Sequence, residues 1–240
     1  MSGHSKWSTI KHQKEAQDKK RGQIFGKLAR LIAIAAKNGP DPEKNPRLRM
    51  EIDRARKFNM PKENIQRAIE RGSGGNGSEN LEGFIYEALG PENVGIIVEG
   101  ITDNRNRSAP AIKQIFTKHG CKPAGEGSVV WMFARAGTIS VAKPQDPVTI
   151  ENFSLACINE GAEDIRDKND SLEIVVSPEK LETLKNFVTE QKFEVTDASV
   201  SWIPKNPVSV SENTKKLLAE LYAALDEHDD VQDIYDNTAE

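Results

Sequence analysis

"GFIYEALGPENVGIIVEGIT", Gly83–Thr102, is where the chain stops repeating at helical spacing. Two apolar runs flank Gly90-Pro91-Glu92-Asn93, residues that favour tight turns, so the stretch predicts a β-hairpin. A helix from about Asn106 to His119 follows, and "GSVVWMF", Gly127–Phe133, is expected to be a further strand. Next come "TISVAK", a helix around Ile150 to Glu160, "EDIRDKN", "LEIVVS", a helix around Pro178 to Gln191, and "ASVSWIP". That order, βαββαβ, is a ferredoxin-like unit. The tail predicts one more helix, Glu212 to Leu225, and an acidic strand, "DVQDIYD". A lone helix and strand cannot bury themselves, so they are expected to complete the sheet begun at residues 83–133. The fold class read from this pattern is α+β. It has an N-terminal three-helix bundle and two α/β domains, the last inserted in a discontinuous middle one. The expected boundaries are 1–76, 77–134 with 206–240, and 135–205.

Upstream of the hairpin, "GSGGNGSE", Gly72–Glu79, reads as a flexible linker that leaves the bundle free to reorient. It follows a helix and lacks a Gly-Lys-Ser/Thr ending, so it is a poor phosphate loop. Before it, Gly22 is expected to divide a polar arm from a helix carrying Ile24, Phe25, Leu28, Leu31, Ile32 and Ala35, ended by Gly39-Pro40. A second helix starts at Asn45-Pro46, a cap followed by a first-turn proline, with Leu48, Ile52 and Ala55 on one face. A third carries Ile65, Ala68 and Ile69, supported by Glu63 and Arg67 four residues apart and closed by Gly72.

The net charge of −4 conceals an asymmetry. Residues 1–72 hold 18 Lys and Arg against 8 Asp and Glu, leaving 15 against 29 for the rest of the chain. A concentrated basic segment on an acidic molecule marks where a polyanion could be accepted. The longest apolar run, Leu31–Ala36, is far below the roughly 18 residues of a membrane helix, and the charged leader is unlike a secretory signal, so a cytoplasmic protein with no membrane partner is expected. Cys121 and Cys157 are isolated, which argues against a disulfide framework or zinc site and suits packing. His4, His12, His119 and His228 are dispersed, and no nucleophile, metal or dinucleotide signature occurs, so neither an enzyme nor a cofactor is expected. Removal of Met1 would expose Ser2-Gly3-His4, whose amine, amide nitrogens and imidazole can hold copper(II) or nickel(II); any chain with His in third position shares this chemistry, and no physiological metal is assigned.

Within the opening run, Lys6, Lys11, Lys14, Lys19, Lys20 and Arg21 can neutralise phosphates, while Trp7, His4 and His12 offer faces for a base. Docking of Trp7 and Ile10 onto the protein itself would be compatible with this. Stacking favours unpaired bases and hence RNA, and Ile65-Gln66-Arg67 make a poor base-reading face for a duplex. A second polar cluster, "TDNRNRS", Thr102–Ser108, lies where a strand feeds a helix. Asp103, Asn104 or Asn106 can cap there, and Asn104, Arg105 and Arg107 beside the helix's positive end make a candidate phosphate-binding loop.

"GHSKWSTIKHQKEAQDKKRGQIF", "NPRLR", "NMPKENIQRAI", "TDNRNR" and "GSVVWMF", in this order over nearly the whole chain, closely resemble the YebC/PmpR family, which includes the mitochondrial translational activator of cytochrome c oxidase subunit one. The resemblance implies three domains, no enzymatic activity and a regulator of gene expression; a monomer is expected. Members are described as probable transcriptional regulators that bind DNA. Others look like ribosome-associated factors that contact RNA and relieve stalling at sequences such as proline runs. It also places nucleic-acid contacts on the arm and on Arg47, Arg49 and Arg54; Lys27 completes the candidate set. Members often read close to "YEGYGPGG" where this chain has "YEALGPEN", Tyr86–Asn93, and Thr-Lys where it has Gly26-Lys27.

Overall fold

The structure, a computed structural model, describes residues 18–74, 80–168 and 170–239, with side chains of the first helix described from Arg21 onward. The described residues form two compact units. One comprises those up to Phe133 together with those from Pro204 on; the other is Ala134–Ile203. In chain order the elements are α1 (Asp18–Ala36), α2 (Pro46–Lys57), α3 (Lys62–Gly72), β1 (Glu82–Leu89), β2 (Gly95–Thr102), α4 (Arg105–Lys118), β3 (Lys122–Ala124), β4 (Phe133–Ala142), α5 (Pro147–Asn159), β5 (Asp164–Asp167), β6 (Ser171–Val176), α6 (Leu181–Glu190), β7 (Val195–Pro204), α7 (Glu212–Asp226) and β8 (Val231–Asp236). The fold class is α+β: a helical bundle, a four-stranded sheet closed by the C-terminal strand, and an inserted βαββαβ unit.

The bundle encloses Leu28, Ile32, Leu48, Ile52, Ala55, Met60, Ile65 and Ala68. Asn45 organises its first corner. Its side chain accepts from the Leu48 amide at 3.0 Å and donates to the Ala35 and Gly39 carbonyls at 2.8 Å, so one residue ends α1 and caps α2. Helix α1 does not start after Gly22; it runs through Gly22 and Gly26. A Cβ at either would meet nothing within 4 Å, so neither glycine answers a steric need. Their helix cost, about 1 kcal/mol each relative to alanine, is outweighed by the apolar faces the helix buries. In α3, Arg67 donates to the Asn64 side chain and the Glu63 carbonyl rather than the Glu63 carboxylate.

The bundle is not a separate body. A second face of α1, with Leu31, Ala33 and Ile34, packs on Leu81 and Ile101 at the adjoining sheet. That sheet has the order β3-β1-β2-β8 and is antiparallel, from Glu82↔Thr102 to Leu89↔Gly95 in its central hairpin. Helices α4 and α7 cover one face, and Phe84, Ile96, Val98, Ile112, Phe116, Leu218, Leu221, Leu225 and Ile234 form the core. At the hairpin turn Glu92 and Asn93 have φ of 55° and 61°, the left-handed region. Glycine adopts that region without steric cost, whereas these two residues carry a side chain there. Here the Glu92 carboxylate accepts from the Ser211 amide at 3.0 Å and the Ser211 and Thr214 hydroxyls at 2.6 and 2.8 Å, which anchors the turn to the start of α7.

Two expectations fail locally. Gly127–Phe133 is not a strand: Val130–Met132 form a 3-10 turn, and β4 begins only at Phe133. The reason is the buried Glu87 carboxylate, which accepts from the Gly127 amide at 2.6 Å, the Val130 amide at 3.0 Å and the Val129 amide, engaging donors a strand partner would need. Strand β3 was not foreseen; three residues containing Pro123 show no periodicity.

In the second unit the strand order β5-β6-β4-β7 is that of a ferredoxin-like sheet. Asp146 caps α5 through the Thr149 amide at 3.0 Å. Phe153 stacks on Phe193 at 3.8 Å, and burial pushes the Cys157 thiol up to about 11. Both cysteines are free and buried.

Pairing of β2 with β8 shifts register between Glu99 and Gly100, where a Cβ would overlap the Phe84 ring and the Asp230 carbonyl. Gly100→Ala is therefore expected to destabilise the protein by at least about 2 kcal/mol in urea denaturation, since neither the ring nor the backbone can retreat.

Candidate nucleic-acid interface

Core positions on α2 fall at Leu48, Ile52 and Ala55, so Arg47, Arg56 and Lys57 stand outside; on α3 the core takes Ile65 and Ala68 and leaves Lys62, Arg67 and Arg71 exposed. Arg47 and Lys62 have no partner among the described residues. Arg49 is half-buried and donates to the Pro42 carbonyl at 3.2 Å, and Arg54 is half-buried. Arg21 is exposed on α1 with its guanidinium 5.5 Å from the Phe25 ring centroid. Lys6, Trp7, Lys11, His12 and Lys14 lie outside the described residues, as do the side chains of Lys19 and Lys20 and the Ser2-Gly3-His4 terminus.

Lys27 is turned inward. It is 6% exposed, and its Nζ binds the Asp226 carboxylate at 3.1 Å and the Asp226 carbonyl at 2.9 Å. It belongs to the face of α1 that docks on the α/β core. One turn further, Arg30 binds the Asp230 carboxylate at 3.0 Å and the Asp229 carbonyl.

The polar residues of the TDNRNR loop are engaged within the chain. Asn104 caps α4, accepting from the Arg107 amide at 3.2 Å. Arg105 pairs with Glu82 at 2.9 Å and donates to the Gly83 carbonyl at 2.8 Å. Arg107 pairs with Asp103 at 2.7 Å and Asp230 at 3.1 Å. The Ser108 hydroxyl donates to Asp230 at 2.5 Å, and Thr102 reaches the same oxygen at 3.2 Å. The cations beside the helix start thus neutralise carboxylates of the chain itself. Burial alone would raise the Asp230 pKa. The Ser108 hydroxyl and the Arg107 and Arg30 guanidiniums overcome it and hold the carboxyl below the usual carboxylate range.

The candidate set therefore separates into two groups. Lys27, Arg105 and Arg107, with Arg30, pair with carboxylates of the chain itself. Arg21, Arg47 and, outside the candidate set, Arg56, Lys57, Lys62, Arg67 and Arg71 are exposed on the bundle. The signal for Lys27 was its spacing: Lys27, Leu31 and Ile34 form a second stripe beside Leu28, Ile32 and Ala35. Among the described residues no helix is long and apolar enough to cross a membrane.

A basic helical bundle docked on a discontinuous α/β domain that carries an inserted ferredoxin-like unit defines the class. Two family models account for the chain. "TACO1/YebC protein N-terminal domain" matches residues 5–75, and "TACO1/YebC second and third domain" matches 81–238. The chain belongs to the TACO1/YebC family, in agreement with the resemblance in its motifs. A "Probable transcriptional regulatory protein" of Carboxydothermus hydrogenoformans is 43% identical over 99% of this chain and 98% of its own length. One of the same name from Dictyoglomus thermophilum is 45% identical over 99% and 95%. The crystal structure of the conserved hypothetical protein Aq1575 from Aquifex aeolicus superposes with a TM-score of 0.87 at 38% identity, covering 97% of this chain and 96% of that one.

Because the Asp230 pKa is depressed, its stabilisation is complete above about pH 4 and fades as the pH falls through its folded-state value. Asp230→Asn should lower stability near neutral pH by about 2 kcal/mol, leaving Arg30 and Arg107 without their shared partner. The difference between variant and parent should shrink below about pH 4, as read by urea denaturation at several pH values.

Proposed function

We propose that this protein is a non-enzymatic, cytoplasmic, monomeric regulator of gene expression that binds DNA through its basic N-terminal segment. The domains in this proposal are 1–76, 77–134 with 206–240, and 135–205. Contact falls on the arm residues Lys6, Trp7, Lys11, His12, Lys14, Lys19, Lys20 and Arg21, and on the outward face of the bundle. The carrying observation is the sorting of cations: those facing the α/β core are matched to carboxylates, whereas Arg47 and Lys62 face water with no partner among the described residues. Outward cations of this kind suit a phosphate backbone. The regulatory names of the full-length relatives support the same reading.

A second reading, a ribosome-associated translation factor that binds RNA and relieves stalling, is favoured by one detail. Gln66 on the outer face of α3 donates to Glu70 at 3.1 Å and Arg67 donates to Asn64, so these side chains are engaged on the helix instead of being displayed for base edges.

Affinity against salt decides. If about five phosphates are neutralised, log affinity for duplex DNA should fall on log salt with a slope of roughly −4 to −5, shallower by about 2 in Arg47→Ala/Lys62→Ala. Duplex binding that outlasts random-sequence competitor supports the transcriptional reading. Ribosome binding that depends on Lys11, Lys14, Lys19 and Lys20, beside only generic duplex binding, supports the second. Salt-independent binding, or none, removes both.

A further inference from the structure

Trp131 is 63% exposed, the most exposed large apolar side chain among the described residues. Its neighbours in the 3-10 turn explain its direction. Val129 and Phe133 are buried at 0% and 3%, so the residue midway between them turns outward. Its mounting is rigid. The Glu87 carboxylate gathers the Gly127, Val129 and Val130 amides beneath it, and Gly95 lets the segment lie against β2, where a Cβ would come within 2.8 Å of the Met132 sulfur. The indole Nε1 donates to the Ser128 carbonyl at 2.9 Å, which fixes the ring. Lys205 completes the arrangement: its amide donates to the Met132 carbonyl at 2.9 Å, and its Nζ to the Trp131 carbonyl at 3.0 Å. Lys205 is exposed and has no carboxylate partner among the described residues.

We propose that Trp131 and Lys205 form a stacking step for one unpaired nucleobase of a single-stranded nucleic acid, the strand's phosphate lying on the Lys205 ammonium. This rests on the nucleic-acid reading above and adds a contact outside the basic arm and bundle. With its N–H already donated, the indole offers a ligand its π-face and no donor. The Lys205 ammonium, held on the carbonyl of the same residue and without a carboxylate partner among the described residues, can take an anion. A flat ring and a phosphate at one spot describe a nucleotide, and only an unpaired base leaves its own face open. A sugar stacked on the indole would leave the ammonium without a counterion. An apolar protein surface would need apolar neighbours, whereas the residues that bond to Trp131, Ser128 and Lys205, are polar and exposed.

The test uses the full chain with fluorescein-labelled ten-residue oligoadenylate as RNA and as DNA, beside a duplex of equal length. Near-ultraviolet circular dichroism and thermal melting check that each variant is folded. Trp131→Ala should weaken single-strand binding by about 5- to 100-fold, while Trp131→Phe keeps most of the affinity and duplex binding is unchanged. Lys205→Ala should make the single-strand salt slope shallower by about 0.7. The relative affinities of the two oligoadenylates identify which sugar the site accepts. Unchanged single-strand affinity in Trp131→Ala, an equal loss on duplex, or a loss in Trp131→Phe as large as in Trp131→Ala overturns the proposal. If Arg47→Ala/Lys62→Ala weakens binding while Trp131→Ala does not, the stacking step fails and the general reading stands. If the intact chain binds none of the probes, both fail.

Discussion

Asp230 has 2% of its side chain exposed, and a carboxylate so buried is tolerable only when charge and hydrogen bonds surround it. Its partners come from distant parts of the chain: Arg30 from α1, Thr102 from the end of β2, and Arg107 and Ser108 from the first turn of α4. Its own carbonyl accepts from the Ile101 amide at 2.8 Å, at the point where β8 shifts register against β2. One residue near the C-terminus thereby ties the bundle, the sheet and α4 together. The docking of α1, the role of the TDNRNR loop and the need for glycine at position 100 all depend on that placement.

The same constraint sorts the basic residues. A cation that faces the α/β core can be buried only against an anion, and the core supplies Asp226 and Asp230 for Lys27 and Arg30. On the outer side of the bundle the stripe of Leu48, Ile52 and Ala55 pulls α2 inward and leaves Arg47 exposed, with no partner among the described residues. Charge that appears as one block in the sequence thus has two uses. Part is structural and internally neutralised, and part is displayed at the surface.

Much of the architecture was legible because its signals are local. The hairpin turn, the Asn45-Pro46 cap and the βαββαβ order each follow from residues a few positions apart, and the helix and strand assigned to the tail are observed as α7 and β8. What failed did so through distant contacts. The start of α1 was misplaced because burial of the apolar faces outweighs two glycines. Gly127–Phe133 read as a strand because its composition is strand-like, while Glu87, forty residues earlier in sequence, takes its amides. The carboxylates that Arg105 and Arg107 meet were not legible either, because Glu82 and Asp230 lie outside the TDNRNR motif and Asp230 is more than a hundred residues away.

By itself the sequence determined the order and type of most elements, the family and the polarity of charge along the chain, because periodicity, caps and composition act over a few residues. Only the tertiary structure decided which cations remain available, that the bundle docks on the sheet instead of hanging from a linker, and that Trp131 is turned outward. Those outcomes depend on which carboxylate or apolar surface arrives opposite a given residue, and that is set by pairings between segments far apart in the chain.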